Sequence, residues 1–241
     1  MGGFFNMDGP FFRFGNAVAD IMILSLLWIA FSIPIITIGA STTALFYVTT
    51  RRISDRQGYL FRDFSSSFKA NFKRSTLLWL LWLLFFTIIV TNIWLLPRMD
   101  IDATLSSILL PIQIIILIEL LITAIYLFPL TARFDMGFLQ TIKSAFFMAN
   151  RHIFATVSIL ITIAAIFLSA VFVFEPILFF AMGLYAYGAS FMIMGVFKKY
   201  RPEMDEDHLA TAPLPELNFD EVFAETDETD EADENDESSQ S

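Results

Sequence analysis

The chain has 241 residues, of which 56% are apolar and 28 are phenylalanine, and its mean hydropathy is +0.64. That is more apolar surface than a soluble core of this length can enclose, so the composition excludes an ordinary soluble domain and points to a bilayer. The formal net charge of −10 is a composite, because residues 202–241 hold 16 acidic residues and no Lys or Arg, while the rest has 15 basic against 9 acidic residues, a net +6.

Residues 1–16 contain one arginine, five phenylalanines and no small-x-small cleavage site, so they predict a retained, extracytoplasmic interfacial segment rather than a signal peptide. Asn6 stands where a myristoylation signal needs Ser or Thr. Five apolar stretches then have spanning length: residues 17–38, 77–96, 105–130, 153–174 and 176–197, each near the ~20 residues that a bilayer core requires. Pro34 and Gly39 mark the frayed end of the first, and only Glu175 and Pro176 separate the last two, which predicts a tight helical hairpin. The expected fold is an all-α membrane protein, a bundle of about five transmembrane helices over residues 17–200 with two cytoplasmic amphipathic helices.

Orientation follows from the flanking charges, since Lys and Arg beside a span are held in the cytoplasm during insertion. Arg51, Arg52, Arg56, Arg62, Lys69, Lys73 and Arg74 lie between spans one and two; Arg133, Lys143 and Arg151 between three and four; Lys198, Lys199 and Arg201 after five. Only Arg13 and Arg98 fall on the other side. The predicted topology in the plasma membrane is N-terminus outside, C-terminus cytoplasmic. The alternative splits residues 21–50 at Pro34 into two short crossings and moves the N-terminus inside, but the second would have only about 14 apolar residues, short of a span.

Each long cytoplasmic loop carries an amphipathic pattern. Leu60, Phe64, Phe68 and Phe72 recur every four residues with Arg62, Lys69 and Lys73 roughly opposite; Phe138, Leu139, Ile142, Ala145, Phe146 and Ala149 form a second stripe, with Lys143 and Ser144 off it. Each pattern runs into the next span through a similar junction, FKANF at 68–72 and FMANR at 147–151, and PIIT at 34–37 and PLT at 129–131 close the preceding spans. These matches suggest a weak internal duplication of a span, an amphipathic helix and a span. Residues 202–241 are rich in Pro, Asp, Glu, Ser and Thr, and predict a disordered acidic cytoplasmic tail, interrupted by LPELNFDEVF at 214–223, a docking motif or a solvated spacer.

Glu119 lies near the middle of the third span, where an unpaired carboxylate costs several kcal/mol or more, so it must face the bundle or be protonated. With no Lys or Arg at matching depth, its partners are sought among Gln113, Thr123, Thr87 and Asn92. It is either a proton or substrate site or a hydrogen-bonded structural acid. Asp20 reads as an interfacial acid at the outer start of span one, and Arg133 and Asp135 as a local pair. Ala181, Gly188 and Gly195 recur every seven residues on span five, a small-residue face for internal packing or for an oligomer or partner. Trp79, Trp82 and Trp94 read as interface anchors.

The only histidines are His152 and His208, and there is no HExxH, Walker loop, GxSxG or metal cluster, so neither enzyme chemistry nor a metal or cofactor is expected. Basic residues interleaved with Phe beside a span attract anionic headgroups more simply than nucleic acid. With no cysteine, disulfides and thiolate metal sites are ruled out.

FFNMDGP at 4–10, Arg13-Phe14, and LWIAFSIPIITIGASTTALFYV at 27–48, followed by Gly58-Tyr59 and the 68–72 junction, resemble the YesL-like family of bacterial membrane proteins, domain-of-unknown-function family 624. The resemblance covers roughly residues 1–200 and leaves the acidic tail outside. It implies an accessory role beside carbohydrate ABC importers and no catalytic residue. Two functions are therefore expected in competition: a non-enzymatic accessory or regulator of a carbohydrate ABC transporter, whose partners are the lipid bilayer and that transporter, or a small secondary transporter or channel using Glu119 and the GASTT segment at 39–43.

Overall fold

The first helix, α1 (Pro10–Phe31), starts on a proline, a residue suited to a first helical position because its missing N–H would be unpaired there anyway. The computed structural model describes residues 10–53, 58–98, 103–172 and 177–200, and among them every regular element is helical. Helix α1 stops before Pro34, which is extended (φ −76°, ψ 120°) and has no N–H to continue the ladder. The Thr37 hydroxyl bonds Phe31 O, left open there, at 2.6 Å, and lies 2.7 Å from Pro34 O, which also accepts the Thr37 N–H at 2.9 Å.

After a single turn at Ile35–Thr37 the chain reverses into α2 (Ile38–Ile53). The contacts run in opposite order along the two helices: the Trp28 indole N–H donates to Thr42 Oγ1 at 3.1 Å, and Asp20 pairs with Arg52 at 3.1 Å. A helical hairpin thus stands where one segment over residues 17–38 was expected. A single crossing would have set Asp20 and Arg52 on opposite sides of the bilayer; the turn at Pro34 puts them in contact.

Helix α2 is the hub, packed on by α1, by α3 (Leu60–Leu95), by α4 (Ala103–Arg133) and by α7 (Ile177–Tyr200). Gly39 sets the closest approach: a Cβ there would lie 2.5 Å from Ser75 O and from Trp79 Cβ. The hydroxyls of Thr42, Thr49 and Thr50 bond the carbonyls of Ile38, Leu45 and Phe46 one turn back, which lets most of the polar groups of a Ser/Thr-rich helix be enclosed with partners; the Ser41 hydroxyl is buried without one. Two hydroxyl pairs tie it to its neighbours, Ser75 to Thr43 at 2.9 Å and Thr49 to Ser190 at 2.8 Å.

Helix α3 joins the first predicted amphipathic stretch and the second predicted span into one rod of 36 residues, about 54 Å long where a bilayer core needs about 30 Å. At its start, Asp63 faces Arg51 at 3.5 Å. Phe64 is buried, its ring 5.3 Å from that of Phe31, while Lys69 and Lys73 are exposed. Helix α5 (Phe138–Arg151) is separate from α6 (Ile153–Phe172), the break falling at His152 (φ −103°, ψ 53°). The side of α5 turned inward is Thr141, Ser144, Ala145, Met148 and Ala149. Leu139, Phe146 and Phe147 are exposed, so two residues of the expected apolar stripe point outward and Ser144, expected off it, points in.

Among the described residues four segments are long and apolar enough to cross a membrane: Leu60–Arg98, Leu105–Arg133, Ile153–Phe172 and Phe179–Phe197; α1 adds a shorter apolar helix, Gly15–Phe31. Large apolar side chains cover their outer faces, among them Ile88, Ile115, Ile161 and Phe167, as a membrane-embedded protein requires. The acidic tail with its 214–223 fragment, the first nine residues and the link at 173–176 lie outside the described residues.

Candidate functional site

Glu119 is half-buried on α4, and its carboxylate accepts a hydrogen bond from Asn150 Nδ2 at 2.7 Å and a longer one from Thr123 Oγ1 at 3.4 Å. A carboxylate–amide bond of this length is strong for an uncharged donor. Of the partners expected from the sequence, Thr123 is one turn along the same helix and does bond it. Gln113 lies six residues back, on the other side of α4 by helical rotation, and its Oε1 is buried without a partner. Thr87 and Asn92 are exposed on α3.

Asn150 comes from the FMANR junction, one residue before Arg151 and the break into α6. It also donates to Phe146 O at 3.0 Å, four residues back. Asn71, its counterpart in FKANF, does the same toward Ser67 O at 3.1 Å. The two asparagines share their local bond and differ beyond it: Asn150 reaches a carboxylate on another helix, and α3 runs through Asn71 without interruption. The sequence signal for this partner was the repeated Ala-Asn, visible as a motif but without indication of which helix it would meet.

Arg74, on the far side of the same junction in α3, pairs with Asp135 at 3.0 Å and donates to Thr141 Oγ1 at 2.5 Å. It therefore pins the link between α4 and α5. Together with Asn150–Glu119 it holds α5 at both ends, while α5 packs along α4.

The predicted small-residue face divides. Ala181 lines a cleft, a Cβ at Gly188 would lie 3.4 Å from the Thr162 methyl, an ordinary contact, and Gly195 is exposed with nothing near its missing Cβ. The close approach on α7 falls instead at Gly183, where a Cβ would lie 2.5 Å from Ile21 O. There Ser25 of α1 accepts from Gly183 N at 2.9 Å and donates to Phe180 O at 3.1 Å.

The cleft has a volume of about 420 Å³ and is walled by α1, α2, α3, α4, α6 and α7. Its lining is almost wholly apolar and rich in aromatic rings, including Trp28, Trp79, Trp82, Phe128, Phe167 and Tyr185. Trp79 and Trp82 stack at 5.3 Å and 14°, and Trp82 stacks on Phe86 at 5.0 Å. All three indole N–H groups are already bonded: Trp28 to Thr42, Trp79 to Ile35 O at 2.8 Å, and Trp82 to Leu120 O at 3.0 Å. Of the three tryptophans expected as interface anchors, Trp79 and Trp82 are half-buried along the cleft, while Trp94 is exposed with the Arg98 guanidinium 3.9 Å over its ring. Glu119 is not part of the lining. The GASTT segment forms the packed first turns of α2, with Thr42 alone of its residues on the cleft. Among the described residues no cluster of three or more His, Asp or Glu could hold a metal ion.

Residues 21–93 match the family model described as Protein of unknown function, DUF624. That stretch contains the turn at Pro34, all of α2 and most of α3. No curated protein and no solved structure matches the chain.

Proposed function

We propose that this chain is a non-enzymatic protein of the plasma membrane that assists or regulates a carbohydrate ABC importer. The observation that carries the choice of accessory over conductor is the commitment of Glu119, the one acid of its span, to Asn150 and Thr123 away from the cleft. An intramembrane acid that relays protons or coordinates a solute lines a path, and the large internal space here offers a hydrophilic solute almost no hydrogen-bonding groups. The link to carbohydrate import rests on the resemblance to the YesL-like family, which the family match over residues 21–93 supports at the coarser level of DUF624. The test is purification of the tagged full chain from its native membrane in mild detergent: a carbohydrate importer subunit should co-purify, and repeated recovery without one would count against this role. Flux of sugar or ion into liposomes that Glu119→Gln abolished would replace it with the transporter reading.

For topology, the Asp20–Arg52 pair supports an N-terminus on the same side as the basic segment, not the opposite one expected from a single first crossing. With residues 51–74 cytoplasmic, Arg13 joins them and Arg98 is left as the basic residue outside, in better accord with charge retention. The chain has no cysteine, so Asn16→Cys can be mapped without background. It should resist an impermeant maleimide on intact cells and react after permeabilisation; labelling of intact cells would restore the external N-terminus.

A further inference from the structure

We propose that the cleft is a binding site for one acyl chain of a membrane phospholipid. Three observations carry this beyond the functional role above. The first is chemical: with the Trp28, Trp79 and Trp82 N–H groups bonded internally, and the Thr42 hydroxyl accepting from Trp28 and donating to Ile38 O at 2.7 Å, the walls present ring faces and aliphatic groups, with the Tyr185 hydroxyl as the remaining polar side-chain group of the lining. A sugar or ion would be stripped of water there without replacement; a hydrocarbon chain loses nothing.

The second is size, since about 420 Å³ falls within the range of small-molecule pockets, ~300–1,000 Å³, and the apolar walls of an open cleft this large would forfeit packing contacts if nothing filled it. The third is the route in. The lining residues that are themselves exposed are Leu121 of α4 and Ile163 and Phe167 of α6. Both helices are among those apolar and long enough to cross a membrane. They meet at the Tyr126–Thr156 hydroxyl pair, 3.1 Å, and the cleft lies beside that contact with its mouth on faces that meet lipid. The occupant is therefore a chain already in the bilayer, inserted sideways.

The tryptophans supply the assay, because bromine quenches indole fluorescence only at close contact. Trp94→Phe removes the exposed indole and leaves the three that line the cleft. In vesicles of phosphatidylcholine brominated at mid-chain, this protein should be strongly quenched. Adding Ala124→Leu or Ala181→Leu, which fill the space from two different helices, α4 and α7, should remove most of the quenching while circular dichroism and the melting temperature stay at or above those of the parent. Two filling variants guard against one failing to fold. Quenching unchanged in folded filled variants would overturn the proposal, showing that surrounding lipid alone reaches the rings. Quenching by a free brominated fatty acid in unbrominated vesicles, without quenching by the brominated phospholipid, would overturn the assignment to a membrane phospholipid.

Discussion

Helices α2 and α4 sit side by side and invert the rule of soluble proteins. Eleven of the sixteen residues of α2 are buried, four of them threonine and one serine, whereas α4, the more hydrophobic by sequence, turns Ile112, Ile115, Ile116 and Ile118 outward. In lipid the outside is as apolar as any core, so oiliness no longer marks what is inside; close backbone approach and matched hydroxyls do. Along α2 interior position goes with small and hydroxyl-bearing residues, and on the first half of α4 the long aliphatic ones mark the surface, while further along α4 Ile125, Leu127 and Leu130 turn inward to the core.

Substitution can break that contrast most sharply at Gly39. Gly39→Leu forces a side chain into the space held by Ser75 O and Trp79 Cβ and should cost about 3 kcal/mol or more, seen as loss of monodisperse protein in detergent. Ile115→Ala on α4, at a residue 65% exposed, should leave the melting temperature nearly unchanged; comparable losses at both positions would erase the distinction. A middle effect is expected for Thr49→Val, which keeps the shape but unpairs Ser190 between α2 and α7. A thermal or denaturant melt should show a loss of about 1–2 kcal/mol, with Thr49→Ser restoring most of it. The smallest effect tests how α4 holds its own neighbour: a double-mutant cycle of Glu119→Leu and Asn150→Leu should give a coupling energy of about 0.5–1.5 kcal/mol, while Glu119→Gln, which keeps an oxygen acceptor for the amide, should lie close to the parent.

The same contrast explains what could be read from residues alone. The apolar runs within α3, α4, α6 and α7 announce themselves by length, because nothing else in a chain keeps some twenty apolar residues together. Helix α2 leaves no such trace. Thr42, Thr49 and Thr50 satisfy themselves one turn back, so a largely enclosed helix has the composition of an exposed one. The reversal at Ser32–Pro34 is partly masked by Ile33, Ile35 and Ile36, which are apolar yet exposed: a hydropathy reading carries one span through it, and the split at Pro34 enters only as the alternative. On α7 the heptad of Ala181, Gly188 and Gly195 is regular, but the decisive glycine is Gly183, made so by Ile21 and Ser25 of α1, more than 150 positions away. Asn150 was visible in a repeated junction; that its amide would meet Glu119 depends on how α5 folds back along α4, which no local pattern encodes.

The enclosure of α2 also constrains how the protein comes to be made. A helix so rich in Ser and Thr has little reason to enter hydrocarbon by itself, and its settled position depends on groups synthesised much later: Ser190 for Thr49, Tyr185 for the Phe46 ring at 5.7 Å, and Phe180 and Gly183 for the neighbouring Ser25. The amino-terminal hairpin therefore has to wait, incompletely docked, until the last helix emerges from the ribosome, and a nascent chain halted before residue 177 should expose α2 to membrane quality-control proteases that the finished molecule resists.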